Sequence, residues 1–399
     1  MRKVSFLLFA CVVIGCVSLA GAGERKIIAP PESDSGLPFS PGIVAGDFLY
    51  LSGAIGRIPG SVKISGDIRA QTRQTLDNLG EVLKAGGMDF SHVVRSDVFL
   101  TDTRHFQAFN EIYRSYFPNQ PPTRATVQAD IAIPGALIEI AMVAARPELE
   151  RTVVVPKEMK APDLPYSWGI LVGDTLFISG ATSRNPTTYQ PVPGDTAAQT
   201  SQVLENVGAV LDGAGMGYED VVSCTVYLED ARDFQKMNAA YREFFPENQP
   251  ARATVRARLM NSAFKTEIQC VAVKDPNRTV VVAEGAKRSS SPFSPAIQVG
   301  DRLYLSGFVG RGPDGYKMGD VQAQTRQALA NLKATLAAAG MDFSNIVNTT
   351  VFLSDIRHFQ AMNDVYREFF PAAPPARATV GTQLMSADAL VEIAMVASR

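Results

Sequence analysis

A thirteen-residue phrase occurs three times in this chain, and its spacing limits the fold more than any other feature. It reads FQAFNEIYRSYFP at Phe106–Pro118, FQKMNAAYREFFP at Phe234–Pro246 and FQAMNDVYREFFP at Phe359–Pro371. A second phrase keeps step with it, as TRATV at Thr123–Val127 and as ARATV at Ala251–Val255 and Ala376–Val380. Both phrases shift by 128 and then by 125 residues. Solenoid repeats span roughly 20–50 residues, so each unit here is long enough to be a domain with its own core. The 399 residues divide into a leader at 1–22 and three domains at 24–149, 150–276 and 277–399.

The leader is a different kind of text. Met1-Arg2-Lys3 is basic, Val4–Ala20 is nearly all apolar, and Ala20-Gly21-Ala22 is a small-x-small cleavage pattern. The apolar stretch is short for a membrane span and reads as an export signal, with the mature chain starting near Gly23. Val13-Ile14-Gly15-Cys16 also resembles a lipobox, so lipidation at Cys16 is the competing outcome. Either way the protein is expected outside the cytoplasm, periplasmic or secreted. Beyond the leader only Cys224 and Cys270 remain. An oxidising compartment would let them pair, but two small buried hydrophobes in strand-like text is the preferred reading. The formal net charge of −2 gives no reason to expect a nucleic acid partner.

Each unit opens on a short apolar run and then shows two apolar runs around a Gly-Asp pair, as in GIVAGDFLYLSG at Gly42–Gly53, which predicts a β-hairpin. Asp67–Met88 places Leu76, Leu79, Val82 and Leu83 at helical spacing and stops at Gly86-Gly87. A strand at His92–Leu100 follows, then a helix with Phe106, Phe109, Tyr113 and Phe117 on one stripe. Strands at Arg124–Gln128 and Leu137–Ala144 close the unit. The predicted order is β-β-β-α-β-α-β-β, an α+β domain with a mixed sheet and both helices on one face. The opposite sheet face needs a cover, and the other two copies are the natural one.

Few polar residues persist in all three units. Arg124, Arg252 and Arg377 each precede Ala-Thr, and Glu139, Glu267 and Glu392 follow fifteen residues later on an apolar strand. Such a charge needs a partner. A buried Arg–Glu pair would satisfy it structurally. The functional alternative is a guanidinium fork for a substrate carboxylate beside a carboxylate that handles a proton. Ser52-Gly53, Ser179-Gly180 and Ser306-Gly307 repeat at a strand end, where a glycine leaves a backbone N–H open or marks a bulge. Asn110, Asn238 and Asn363 repeat in the second helix and can cap, bridge a loop or bind. None of His92, His105 and His358 persists in all three units, so a histidine triad or a histidine metal site is not expected.

Together these phrases resemble the reactive intermediate deaminase (RidA/YjgF-type) family. The resemblance rests on the Ser-Gly strand end, the Q-T-x-x-x-L-x-N helix in units one and three, the FxxxNxxYxxFFP helix, the P-A-R-A-T strand and the terminal V-E-I strand. It implies single-domain homotrimers with clefts between subunits, hence here three RidA-like domains forming an intramolecular pseudo-trimer, monomeric in solution. It implies hydrolysis of small 2-imino acids to 2-oxo acids and ammonia, without cofactor or metal. By this resemblance Arg124, Arg252 and Arg377 bind the carboxylate, and Glu139, Glu267 and Glu392 orient the water. Ser52, Gly53, Ser179, Gly180, Ser306, Gly307, Asn110, Asn238 and Asn363 line the clefts. The chain departs from the family pattern at three places. The cleft tyrosine is matched only by Tyr166, with Phe39 and Phe293 elsewhere. Thr126, Thr254 and Thr379 stand where a cysteine is frequent, and Ala54, Ala181 and Phe308 where a glutamine is frequent. A non-catalytic extracytoplasmic module for small carboxylates is the alternative, and it has less need of the glutamates. An endoribonuclease is disfavoured by the charge balance and the missing histidine.

Overall fold

The computed structural model describes residues 25–31, 36–286 and 289–399; the leader, with Cys11 and Cys16, lies outside them. Unit one runs β1 (Lys26–Ile28), β2 (Gly42–Ala45), β3 (Phe48–Ile55), α1 (Ile68–Ala85), β4 (Val93–Leu100), α2 (Phe106–Tyr116), β5 (Thr123–Gln128), β6 (Asp130–Ile131) and β7 (Ile138–Ala145). Unit two runs β8 (Arg151–Val154), β9 (Gly169–Val172), β10 (Thr175–Ile178), β11 (Ala181–Thr182), α3 (Thr196–Gly213), β12 (Val221–Leu228), α4 (Phe234–Phe244), β13 (Ala251–Arg256), β14 (Arg258–Leu259) and β15 (Thr266–Val273). Unit three runs β16 (Thr279–Val281), β17 (Ala296–Val299), β18 (Arg302–Val309), β19 (Arg311–Gly312), β20 (Gly315–Tyr316), α5 (Val321–Ala338), β21 (Ile346–Leu353), α6 (Phe359–Phe369), β22 (Ala376–Gly381) and β23 (Val391–Ser398).

Local chemistry sets these boundaries. Gly46 takes φ +54° in the two-residue turn between β2 and β3, a conformation that glycine enters without a Cβ penalty. The Asp67 side chain accepts the Ala70 N–H and caps α1, and Gly87 at φ +75° follows its last turn. Asp89 and His92 form a reciprocal cap on a short 3-10 turn, so β4 starts at Val93 rather than at His92.

In unit one the strand order is β1-β2-β3-β7-β4-β5. Only β4 and β5 pair in parallel, joined by the α2 crossover, while β7 pairs antiparallel with both β3 and β4. The helices lie on one face. Leu76, Leu79, Leu83, Phe109 and Tyr113 pack there with Leu49, Leu51, Ile138 and Ile140. Equivalent cores fill units two and three.

The other sheet faces meet one another. Phe48 and Tyr50 of unit one, Phe177 of unit two and Tyr304 of unit three share one apolar cluster, and Phe99, Tyr227 and Phe352 share a second. The contacts run in a cycle. Arg25 donates to the carbonyls of Ile346 and Ala373, Arg151 to those of Val93 and Gln120, and Arg278 to those of Val221 and Asn248. Short strands add a second tie: β14 extends the unit-one sheet beyond β5, and β6 extends the unit-three sheet beyond β22.

Two sequence readings are corrected. Cys224 and Cys270 face each other across β12 and β15 and form a disulfide. They are not independent buried thiols, because strand register brings their Cα atoms to 4.2 Å. The equivalents of Cys224 are Ser96 and Thr349, which hydrogen-bond the buried phenols of Tyr113 and Tyr366; Tyr241 in unit two has no such partner. The Q-T-x-x-x-L-x-N helix also occurs in unit two, from Gln199 to Asn206. Its purpose is visible in all three copies. Gln71, Gln199 and Gln324 clamp the loop before the glutamate strand. Asn78, Asn206 and Asn331 hold the loop that follows Ser-Gly.

Candidate active-site clefts

Glu139 lies on β7 opposite Ile55 of β3 and Phe99 of β4. Alternation sends Ile138 and Ile140 into the helix-side core and turns Glu139 to the opposite face. There it meets another unit. Its Oε1 accepts the backbone N–H of Thr379 at 3.2 Å. Glu267 accepts from Thr126 and Glu392 from Thr254, each at 3.3 Å. The arginine two residues before each threonine therefore belongs to the same cleft. Arg377 faces Glu139, Arg124 faces Glu267, and Arg252 faces Glu392. Each cleft takes its arginine from one unit and its glutamate from the next.

The arginines are buried and held by their own unit's second helix. Arg252 donates to Asn238 Oδ1 and Arg377 to Asn363 Oδ1, both at 2.7 Å. Arg124 instead lies among rings, 5.0 Å from that of Tyr113 and 5.9 Å from that of Tyr166, and neither polar atom of the Asn110 amide has a protein partner. The neighbouring unit lays one ring near each guanidinium: Tyr166 on Arg124, Phe293 on Arg252 at 5.5 Å and Phe39 on Arg377 at 5.4 Å. Among the described residues no Arg–Glu contact within 4.0 Å joins the two groups. Buried N–H groups remain unpartnered at Arg124 Nη1, Arg252 Nε, and Arg377 Nε and Nη1. So do the hydroxyls of Thr126, Thr254 and Thr379. Buried guanidinium donors without a protein partner suit an incoming carboxylate.

Burial dominates the electrostatics. It pushes Glu139 and Glu392 up to about 7 and Glu267 up to about 8, against the threonine N–H and the facing arginine, which pull them down. Burial also lowers Arg252 and Arg377 to about 10, so both stay charged at neutral pH. A carboxylate poised near neutrality can take up and return a proton.

The Ser-Gly pairs have structural tasks here. Ser52 Oγ accepts the Arg377 N–H at 2.8 Å and donates to the Ser40 carbonyl, which fixes the arginine strand to its neighbour. Ser179 and Ser306 do the same for Arg124 and Arg252. Gly53 lies in a β-bulge between Leu51 and Ala54, and a Cβ there would sit 2.0 Å from Glu139 Oε1. The glycine makes room for the catalytic candidate. The Gly180 N–H is engaged by the Arg124 carbonyl. Phe308 packs against the unit-three core beside its cleft.

Cavities open at the clefts of units one and three and of units one and two. The one between units one and three, about 180 Å³, is lined by Phe39, Gly53, Glu139, Phe359, Arg377 and Thr379. The one between units one and two, about 250 Å³, is lined by Arg124, Thr126, Tyr166, Gly180 and Glu267. Each also contains an arginine that the sequence reading missed, Arg57 in the first and Arg184 in the second. The signal was present: an arginine stands five residues after the Ser of Ser-Gly in every unit, at Arg57, Arg184 and Arg311.

The model of the endoribonuclease L-PSP family matches residues 31–146, 157–274 and 284–399. A RutC family protein of Pyrococcus horikoshii is 41% identical over 125 residues, covering 31% of this chain and 99% of its own. The 2-iminobutanoate/2-iminopropanoate deaminase of Bos taurus is 35% identical over 131 residues, covering 33% of this chain and 96% of its own. A solved chorismatase is 16% identical over 77% of this chain and 93% of its own, with a TM-score of 0.51, a likeness of fold alone. Matched three times in succession by one family model, the chain belongs to the endoribonuclease L-PSP family, in which its relatives are RutC and RidA proteins.

Proposed function

We propose that the protein hydrolyses small 2-imino acids, of the 2-iminopropanoate and 2-iminobutanoate type, to 2-oxo acids and ammonia. The observation that carries this reading is the threefold meeting, across unit boundaries, of a buried arginine with free donors and a glutamate poised near neutral pH. The substrate carboxylate pairs with the guanidinium, which sets the C=N carbon beside the glutamate. The ionised glutamate takes a proton from water as the water oxygen bonds to C2 and the C=N π pair moves to nitrogen. The protonated glutamate then returns that proton to nitrogen. The C–N bond breaks with its electron pair leaving on ammonia, while the C2 hydroxyl gives its proton to the again ionised glutamate and its oxygen becomes the keto group. The glutamate passes that proton to the departing ammonia, which leaves as ammonium. An iminium is already electrophilic, so this scheme calls on no cofactor. Arg, Glu, Asn and the ring of the neighbouring unit are the proposed contacts, and Ser-Gly is their support.

The test is release of ammonia and 2-oxo acid from freshly generated 2-iminopropanoate. Arg124→Ala, Arg252→Ala and Arg377→Ala together should lower kcat/KM by ~30-fold or more, the equivalent of about 2–4 kcal/mol for a lost charge-assisted pair. No acceleration by the wild type over buffer ends the proposal. Carboxylate binding without turnover would indicate a binding module instead. Export, with a mature start near Gly23 or at a lipidated Cys16, belongs to the same proposal and is read by N-terminal sequencing of protein from cells.

A further inference from the structure

The cleft between units one and two holds two arginines, and the second has no role in the scheme above. Arg184 lines the same cavity as Arg124, Thr126 and Glu267. Its guanidinium lies 4.6 Å from the Tyr189 ring and 4.7 Å from the Phe264 ring. Nη1 donates to the Tyr189 carbonyl at 3.0 Å. Its backbone is fixed as well, since the Arg184 carbonyl accepts Asn206 Nδ2 at 2.8 Å. Tyr189 packs its buried ring there from a backbone at φ +64°, a conformation that a bulky residue adopts at a cost. Among the described residues no carboxylate lies within 4.0 Å of Arg184. The arginine is thus positioned and partly desolvated; Glu267, which shares its cavity and feels its charge, stands beyond ion-pair distance. The same sequence position recurs as Arg57, which lines the cleft between units one and three and whose buried Nε has no partner.

We propose that this cleft takes 2-imino acids bearing a second carboxylate, with Arg124 holding the C1 carboxylate and Arg184 the distal one. This rests on the deaminase reading and adds the substrate class. Arginine fits the task because its planar fork matches a carboxylate in two hydrogen bonds and tolerates aromatic packing on its faces. The distal pair sits away from the reacting carbon. It contributes binding that a 2-iminopropanoate-sized substrate cannot use.

The full mature chain carrying Arg252→Ala and Arg377→Ala isolates this cleft. Imines are generated in place by an amino-acid oxidase from glutamate and from 2-aminobutanoate, and the ratio of the two kcat/KM values is the readout. The parent should favour the dicarboxylate, and Arg184→Ala should lower the ratio on the order of 10- to 100-fold. Arg184→Lys should fall between. An unchanged ratio makes Arg184 a loop brace and overturns the proposal. Should no imine be turned over at all, it is the deaminase reading that fails. Calorimetry of the wild-type chain with glutarate and with butanoate then decides the site by itself. Tighter glutarate binding that is lost in Arg184→Ala supports two carboxylate pockets, and equal affinities rule them out.

Discussion

Alanine at Gly53, Gly180 and Gly307 should slow the chemistry by displacing a reacting group without replacing it. A Cβ on these residues falls 2.0, 2.0 and 1.9 Å from the Oε1 of Glu139, Glu267 and Glu392. Ordinary contact begins at 3.4 Å, so each carboxylate must retreat by about 1.4 Å. The backbone cannot absorb the shift. Glu139 pairs with Ile55 on one side and Phe99 on the other, so any slip breaks register on both flanks. The side chain must turn instead and give up the Thr379 N–H. Misplacing a catalytic group by roughly 1 Å costs on the order of 100-fold in rate. Overpacking adds about 1–3 kcal/mol of destabilisation at each site.

The assay is steady-state release of 2-oxo acid, with thermal unfolding followed in parallel. Each single variant should keep the activity of two clefts, and the triple variant should fall on the order of 100-fold. Gly66→Ala is the control, because its Cβ would meet only Ala70 Cβ at 3.6 Å. A triple variant that melts cooperatively and turns over like the wild type would show that the glutamates are not the bases.

Other outcomes follow from the same geometry. The glutamate pKa values predict that kcat/KM rises through pH 7–8. Because the folded values are raised, these groups add stability that is fully present below pH 4.5 and lost as pH climbs through 7–8. Each contributes on the order of 3 kcal/mol, and Glu139→Gln, Glu267→Gln and Glu392→Gln together should remove that alkaline loss from the unfolding midpoint. The disulfide closes 46 residues of chain, so Cys224→Ser with Cys270→Ala should lower stability by about 4 kcal/mol, read by denaturant titration. Light scattering should give the mass of one chain, because linking the units in one polypeptide raises their effective concentration for each other; a mass of three chains would contradict it.

What the sequence disclosed was local. The Gly46-Asp47 turn and the glycines after α1 each act within a few residues, and each was readable. Alternation along β7 also put Glu139 on the correct face. Its partner was not readable: Thr379 lies 240 residues away, and no periodicity reaches that far. The disulfide was hidden for the same reason, since Cys224 and Cys270 meet only once β12 and β15 are in register. The two-residue strands β6 and β14 are too short to leave a pattern, although they tie the units together. Arg57, Arg184 and Arg311 were within reach of the three-way comparison, but variable neighbours surround them, as GRI, SRN and GRG.

Because each cleft draws its walls from two repeats, one repeat acts in two places. Unit two gives Glu267, Tyr166 and Arg184 to the cleft with unit one. It gives Arg252, Asn238 and Thr254 to the cleft with unit three. This assignment has a kinetic signature. Arg124→Ala and Glu267→Gln disable one cleft, so the double variant should lose no more overall turnover than the more damaging single change. Arg252→Ala and Glu267→Gln sit in one repeat but disable two clefts. If the clefts contribute equally, that double should retain about one third of the turnover, because residues acting as a unit are non-additive whereas independent sites add. The same measurement with Arg377→Ala and Glu139→Gln should again behave as one cleft, although 238 residues separate the two positions. Additivity within Arg124/Glu267 combined with redundancy within Arg252/Glu267 would mean that each repeat encloses its own site. The cross-unit geometry would then not be the working one.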